Sequence, residues 1–186
     1  VADTCGPWGP TERVIKKVGY NTVCTETNTP LKDWDKGKWM NIRNAKAEFL
    51  GKMGGGDGTV AYPEDLRNYD KVIYTPIMKT HFLGGFSMSL KLTVGMTHLA
   101  DRTFLHGDNN LFVPQWAAEM NMPIKPDLIV MDGRISFVSG GPAIGLAVHP
   151  GVILASGDPD VQGVRLLQNY AAVNHLGGDA WNLPQI

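Results

Sequence analysis

The chain is poor in cysteine, with only Cys5 and Cys24 among its 186 residues. Two thiols are too few for an iron–sulfur cluster or for the disulfide framework of a small secreted scaffold. A single bridge stays open. Cys5 in a Gly/Pro-rich start and Cys24 in a short apolar run nevertheless read as free thiols of a reducing compartment. An excess of charge is missing too: 17 Lys and Arg against 18 Asp and Glu leave a net charge of −1. That withholds the basic footprint nucleic-acid binding requires. No apolar run approaches the roughly 20 residues of a membrane span. The start, Val1-Ala-Asp-Thr-Cys5, has no initiator Met, no basic n-region and no apolar h-region, so it is not read as a signal peptide. It reads as a processed chain or as part of a longer protein. The cytoplasm is therefore the default compartment, with export left open. HExxH, CxxC and GxSxG are absent, Gly140-Gly141-Pro142 breaks a dinucleotide fingerprint, and the Gly51–Gly58 run does not follow the P-loop order.

What is present is the pattern of one α/β domain over residues 1–186, with 43% hydrophobic and 19% charged residues. Three short apolar runs are bounded by Gly, Pro or Asp: Lys71–Pro76, Asp127–Asp132 and Gly151–Ser156. Runs of this kind predict strands buried on both faces, and their alternation with helices predicts a three-layer α/β/α fold with a largely parallel or mixed sheet. Asp158 as cap and Pro159 in the first turn open the clearest helix, whose face carries Val161, Val164, Leu167, Gln168 and Ala171. A shorter helix is expected from Glu12 to Val18, capped by Thr11 and stopped by Gly19. Asn21–Thr25 is expected as a strand, residues 26–40 as a loop, and Asn41–Gly51 as a helix from the spacing of Ile42, Ala45, Phe49 and Leu50. Gly54–Gly58 reads as a flexible loop. Phe86–Val94 alternates like a strand, yet the glycines at 84, 85 and 95 favour a helix.

Chemistry concentrates at strand exits. Tyr74-Thr-Pro-Ile-Met-Lys79-Thr-His81 runs from an apolar strand into a loop, and Lys91 and His106 follow within a glycine-punctuated segment. The carboxyl ends of strands are where α/β folds keep their ligands. In an extended chain, residues two apart point the same way, so Lys79 and His81 share a side. Lysine neutralises an anion, or acts as a base or imine-former once burial lowers its pKa. Histidine shuttles protons or ligates a metal. A plain surface loop would also account for Lys-Thr-His. Arg102 offers either a two-pronged clamp for a carboxylate or phosphate, or a surface pair with Asp101. Asp132, closing an apolar strand, faces a ligand or metal, or accepts hydrogen bonds from its own turn. Gly140 and Gly141 allow backbone to approach a ligand, and Asp158 has a capping role with a ligand role as the alternative.

As an ordered set, Pro76-x-x-Lys79-Thr-His81, Ser89-Leu-Lys91, Gly95, His106, Pro126-Asp-Leu-Ile-Val-Met-Asp132-Gly133, Gly141-Pro-x-x-Gly145 and Gly151-Val-Ile-Leu-Ala-Ser-x-Asp158-Pro159 resembles domain-of-unknown-function family 362 across roughly residues 65–175. That family is widespread in bacteria and archaea and largely uncharacterised, and many members carry a ferredoxin-like iron–sulfur segment. This chain has no such cysteine motif, and the family's N-terminal part is missing from the resemblance. Leu92 stands where the family usually has Asn, and Gly163 where it has a second Asp, which leaves open an altered or inactive member. More remotely, the order His81, Gly84-Gly85, Lys91, Gly95, His106 is similar to the nickel-pincer segment of the lactate racemase family. That likeness implies a proton-transfer base at His81, a cofactor anchor at Lys91 and a metal ligand at His106, although Val94 stands where the racemases have proline.

The expectation is an enzyme or enzyme-like domain that binds a small anionic ligand or a metal. His81 and Lys91 are the catalytic candidates, with Lys79, Arg102, Gly140, Gly141 and Asp158 on the ligand and His106 and Asp132 on a metal. A non-catalytic redox-partner or oligomerisation module is the alternative. A divalent metal and a homo-oligomer stay open.

Overall fold

The computed structural model describes residues 1–4, 9–50, 57–106 and 110–176. Its elements are helices and small mixed sheets, an α/β fold. The first strand, β1 (Ala2–Asp3), pairs in parallel with β2 (Lys32–Asp33). Between them lie α1 (Thr11–Lys17) and α2 (Tyr20–Glu26). Pro10 rather than Thr11 holds the cap position of α1, and Thr11 is buried inside its first turn. The strand expected at Asn21–Thr25 is instead α2. Gly19, at φ 83°, turns the chain left-handed into this second helix, which buries only Cys24. Cys24 is free; Cys5 lies outside the described residues.

The helix expected at Asn41–Gly51 is also overturned. β3 (Trp39–Arg43) pairs antiparallel with β4 (Thr59–Pro63), from Trp39↔Pro63 to Arg43↔Thr59. The helical spacing of Ile42, Phe49 and Leu50 is met by a strand and a bend, because both pack on the same core. The bend is held by Glu119, whose carboxylate accepts the N–H groups of Glu48 (2.6 Å), Phe49 (2.9 Å) and Leu50 (2.7 Å). Residues 26–40 are not all loop, since β2 and a 3-10 turn at Trp34–Lys36 fall within them. Of the glycine-rich loop, only Asp57 and Gly58 are described.

The three apolar runs form one mixed sheet in the order Val152–Ser156, Leu128–Gly133, Ile73–Tyr74. In it β5 (Ile73–Tyr74) is parallel to β8 (Leu128–Gly133), and β11 (Val152–Ser156) is antiparallel to β8. These strands are not buried on both faces. Along β8, Ile129, Met131 and Gly133 are buried while Leu128, Val130 and Asp132 are only partly covered. Pairing places Ile77, Asp132 and Ile153 in one row on the open side. Ile73, Ile77 and Ile153 are each at least half exposed there.

The other side is covered by α6 (Asp160–Val173), which buries Val164, Leu167 and Ala171 as its periodicity requires. This helix starts two residues after the expected cap: Pro159 occupies the cap position, and Asp158 accepts a long 3.4 Å bond from the Asp160 N–H. Met78, Phe86, Met88, Met131 and Val138 complete that core. A second core gathers Tyr62, Tyr74, Val94, Met96, Trp116, Met120 and Ile129. The two are bridged by the segment running from β6 (Thr80–His81) and β7 (Gly85–Phe86) into α3 (Ser89–Met96), whose neighbours in the second core include α5 (Val113–Met120). The helical reading of Phe86–Val94 therefore holds from Ser89 onward.

Candidate functional site

The site is built where this bridging segment meets β9 (Ser136–Gly140) and the turn into β10 (Gly145–Val148). β6 lies against β9. Gly141, at φ 80°, accepts the Phe82 N–H at 3.3 Å and donates its own N–H to the Ile144 carbonyl at 2.7 Å. A Cβ on Gly141 would stand 2.1 Å from the Thr80 carbonyl oxygen, so only glycine permits this approach. Gly140, at φ 70°, makes the same turn possible one residue earlier. The two glycines thus shape the strand that carries His81, and the Gly141 N–H is already used within the turn.

His81 is buried. Its Nδ1 accepts the N–H groups of Leu83 (3.1 Å) and Gly84 (3.2 Å), so the ring proton resides on Nε2. Burial, and then the positive charges of Lys91, Lys79 and His106, lower its pKa to about 4. At neutral pH the ring is a neutral Nε2–H donor. The proton-accepting role implied by the racemase likeness does not suit this tautomer, since the nitrogen free to accept is closed by two backbone donors.

Lys79 is partly buried and donates from Nζ to the Pro142 carbonyl at 2.8 Å, and burial lowers its pKa. Lys91 stands in the first turn of α3. No carboxylate answers it among the described residues, and burial lowers its amine to about 8. Its position is fixed from below. Asp160, buried at the start of α6, accepts the N–H groups of Ser89 (3.0 Å) and Leu90 (3.1 Å), capping α3 from a distant helix. Burial raises the pKa of the Asp160 carboxyl. The chain enters α3 through Met88 at φ 46°, an uncommon conformation held by the full burial of its side chain.

His106 is exposed, and its Nδ1 lies 2.7 Å from Asn110 Oδ1. Its charge reaches His81, so Lys79, His81, Lys91 and His106 form one electrostatic neighbourhood. The other candidates stand apart. Arg102, on α4 (Leu99–Phe104), is buried against the N-terminal segment, where Nη2 donates to Thr4 Oγ1 at 2.6 Å. Its sequence neighbour Asp101 accepts the Ala61 N–H at 2.7 Å. Asp132 points to the open side of β8 and is forked by Arg134, with Nη2 at 2.7 Å and Nε at 3.0 Å, which holds its carboxyl low. Asp158 is exposed at the start of α6. Among the described residues no three His, Cys, Asp or Glu side chains gather into a metal-binding set. A cavity of about 350 Å³ opens elsewhere, between β1, α2 and β5, and touches none of Lys79, His81, Lys91 and His106.

Three contributors escaped the sequence reading. Asp160 was legible as an acid beside Asp158-Pro159, but its partner lies on another helix. The Pro142 carbonyl carries no side-chain signal. Phe82 carries no distinguishing signal in the sequence; it is 71% exposed, and its ring lies nearly parallel to His81 with centroids 5.6 Å apart.

The fold is an α/β domain, and it brings Lys79, His81 and Lys91 into one electrostatic neighbourhood after β5. The family model described as "Domain of unknown function (DUF362)" matches residues 1–161, and the chain belongs to that family. The match begins at Val1, well before the residues 65–175 that carry the sequence resemblance. No curated protein and no solved structure matches the chain, so the remoter likeness to the lactate racemase segment is not shown. At Gly163, where the sequence resemblance implies an aspartate, a Cβ would meet the Sδ atoms of Met131 and Met88 at 3.1 Å and of Met78 at 3.4 Å, so these methionines would have to give by a few tenths of an ångström.

Proposed function

We propose that Lys79, His81 and Lys91, with His106 at the rim, bind a small anion, and that Lys91 is the group able to exchange a proton there. The observation that carries this reading is Lys91 itself: a largely covered amine in a helix's first turn with no acid to answer it among the described residues. A buried cation without a counter-ion is costly, and an anionic ligand removes the cost. Neutral His81 adds an Nε2–H donor. Two lysines beside that imidazole repel a divalent cation, so the anion is favoured over a metal held by His106. Such a domain is enzyme-like: an amine that titrates near neutrality beside a bound acid suits proton transfer.

The test is calorimetric titration with inorganic phosphate and with acetate. Binding of at least one is expected, weakened tenfold or more by Lys91→Met and fading as pH rises through about 8. Failure of both anions to bind, or equal binding by the variant, overturns the assignment.

The open face carrying Ile73, Ile77 and Ile153 favours a second reading, a non-catalytic module that associates through its sheet. The three-layer arrangement belongs to the same proposal, since it requires a layer over that face. Sedimentation of the native chain separates the readings: a monomer that binds phosphate supports the first.

A further inference from the structure

The cation cluster has an apolar rim that anion binding alone does not use. Phe82 is 71% exposed and Ile144 is 88% exposed. Both belong to the site's own framework. Phe82 follows His81 directly, and its N–H is tied to the Gly141 carbonyl. Ile144 closes the same turn through its carbonyl to the Gly141 N–H, two residues after Pro142, whose carbonyl receives Lys79. The Phe82 ring lies at 11° to the His81 plane, with centroids 5.6 Å apart in an offset arrangement, and that imidazole is pinned by two backbone donors. The phenyl ring remains largely open to solvent. A platform thus stands next to the histidine on which the charges of Lys79 and Lys91 act.

We infer that the ligand is an amphipathic anion, with its charged end at Lys79 and Lys91 and an aromatic or otherwise flat apolar body laid on Phe82 and against Ile144. The inference rests on the anion reading above and adds the ligand's class. A small, fully hydrated anion gains nothing from such a platform, whereas a ring placed on Phe82 removes two apolar surfaces from water and stacks. The phosphate or carboxylate end supplies the charge, so the chemistry of the head is left to the test and that of the body is specified.

Matched pairs of probes decide it: inorganic phosphate against phenyl phosphate, and acetate against benzoate, titrated into the native chain. The aryl member of a binding pair is expected to bind roughly fivefold more tightly. Phe82→Ala should bring that ratio close to one, and Phe82→Trp should keep it. Phe82 is exposed, so the alanine variant should stay folded, and its circular dichroism and melting curve check that. If phosphate or acetate binds and the aryl partner binds no better, or if Phe82→Ala keeps the preference, the inference fails and the anion reading stands. If no member of either pair binds, the anion reading itself fails and this inference with it.

Discussion

Replacing Lys91 with Met should make the folded protein more stable while removing its ligand. Met keeps an unbranched stem of similar length and deletes only the amine. Folded Lys91 holds its proton only up to about pH 8, against an ordinary value of 10.5, and burial is the cause. The gap corresponds to roughly 3 kcal/mol, at 1.36 kcal/mol per tenfold change in proton affinity. The sign follows from proton counting. Between pH 8 and 10.5 the unfolded chain keeps the proton and the folded chain has lost it, so wild-type stability rises with pH across that window. Below pH 8 both states are protonated and the full cost of burying the charge is felt. Lys91 is only partly buried, and this residual solvent access trims the figure, so Lys91→Met should gain about 2–3 kcal/mol at pH 7. The gain should shrink to about 2 kcal/mol or less at pH 9 and to under about 0.5 kcal/mol near pH 10.5. Urea denaturation of both proteins at the three pH values measures it. A variant that is less stable at pH 7, or an advantage that does not decay with pH, would refute the reasoning. Either result would mean that the amine has a counter-charge within the protein and needs no ligand to answer it.

Two further substitutions test the framework. Gly141→Ala drives a methyl against the Thr80 carbonyl at a positive φ, and should cost more than about 3 kcal/mol in urea denaturation and abolish phosphate binding. Gly163→Asp introduces the carboxylate that the sequence resemblance implies and sets its Cβ against the sulfurs of Met78, Met88 and Met131. It should lose about 3 kcal/mol or more without strengthening phosphate binding, whereas a gain in affinity would show that the family aspartate belongs to the site.

Periodicity was informative where the local pattern and the tertiary demand coincide. α6 buries Val164, Leu167 and Ala171, as a 3.6-residue stripe must, and the apolar runs ending at Pro76, Asp132 and Ser156 all enter one sheet. It misled where a partner decides. The stripe of Ile42, Phe49 and Leu50 fits a helix as well as it fits a strand followed by a bend. β4, through Val60 opposite Ile42, and the Glu119 carboxylate choose the second, from 18 and 70 positions further along the chain. The Asn21–Thr25 segment shows the converse, a strand-like composition with no strand alongside it among the described residues.

By itself the sequence determined the α/β class, the family, and the few residues able to carry charge at the strand exit, because composition, periodicity and residue chemistry are local properties. Tertiary structure alone decided which of those residues share a site. Lys79, His81, Lys91 and His106 fall together because β6 crosses β9 at Gly141 and Asp160 fixes the start of α3. Arg102 and Asp132 are taken by Thr4 and Arg134. Burial, which no single residue carries in its name, makes His81 a neutral donor and lowers the Lys91 amine to about 8.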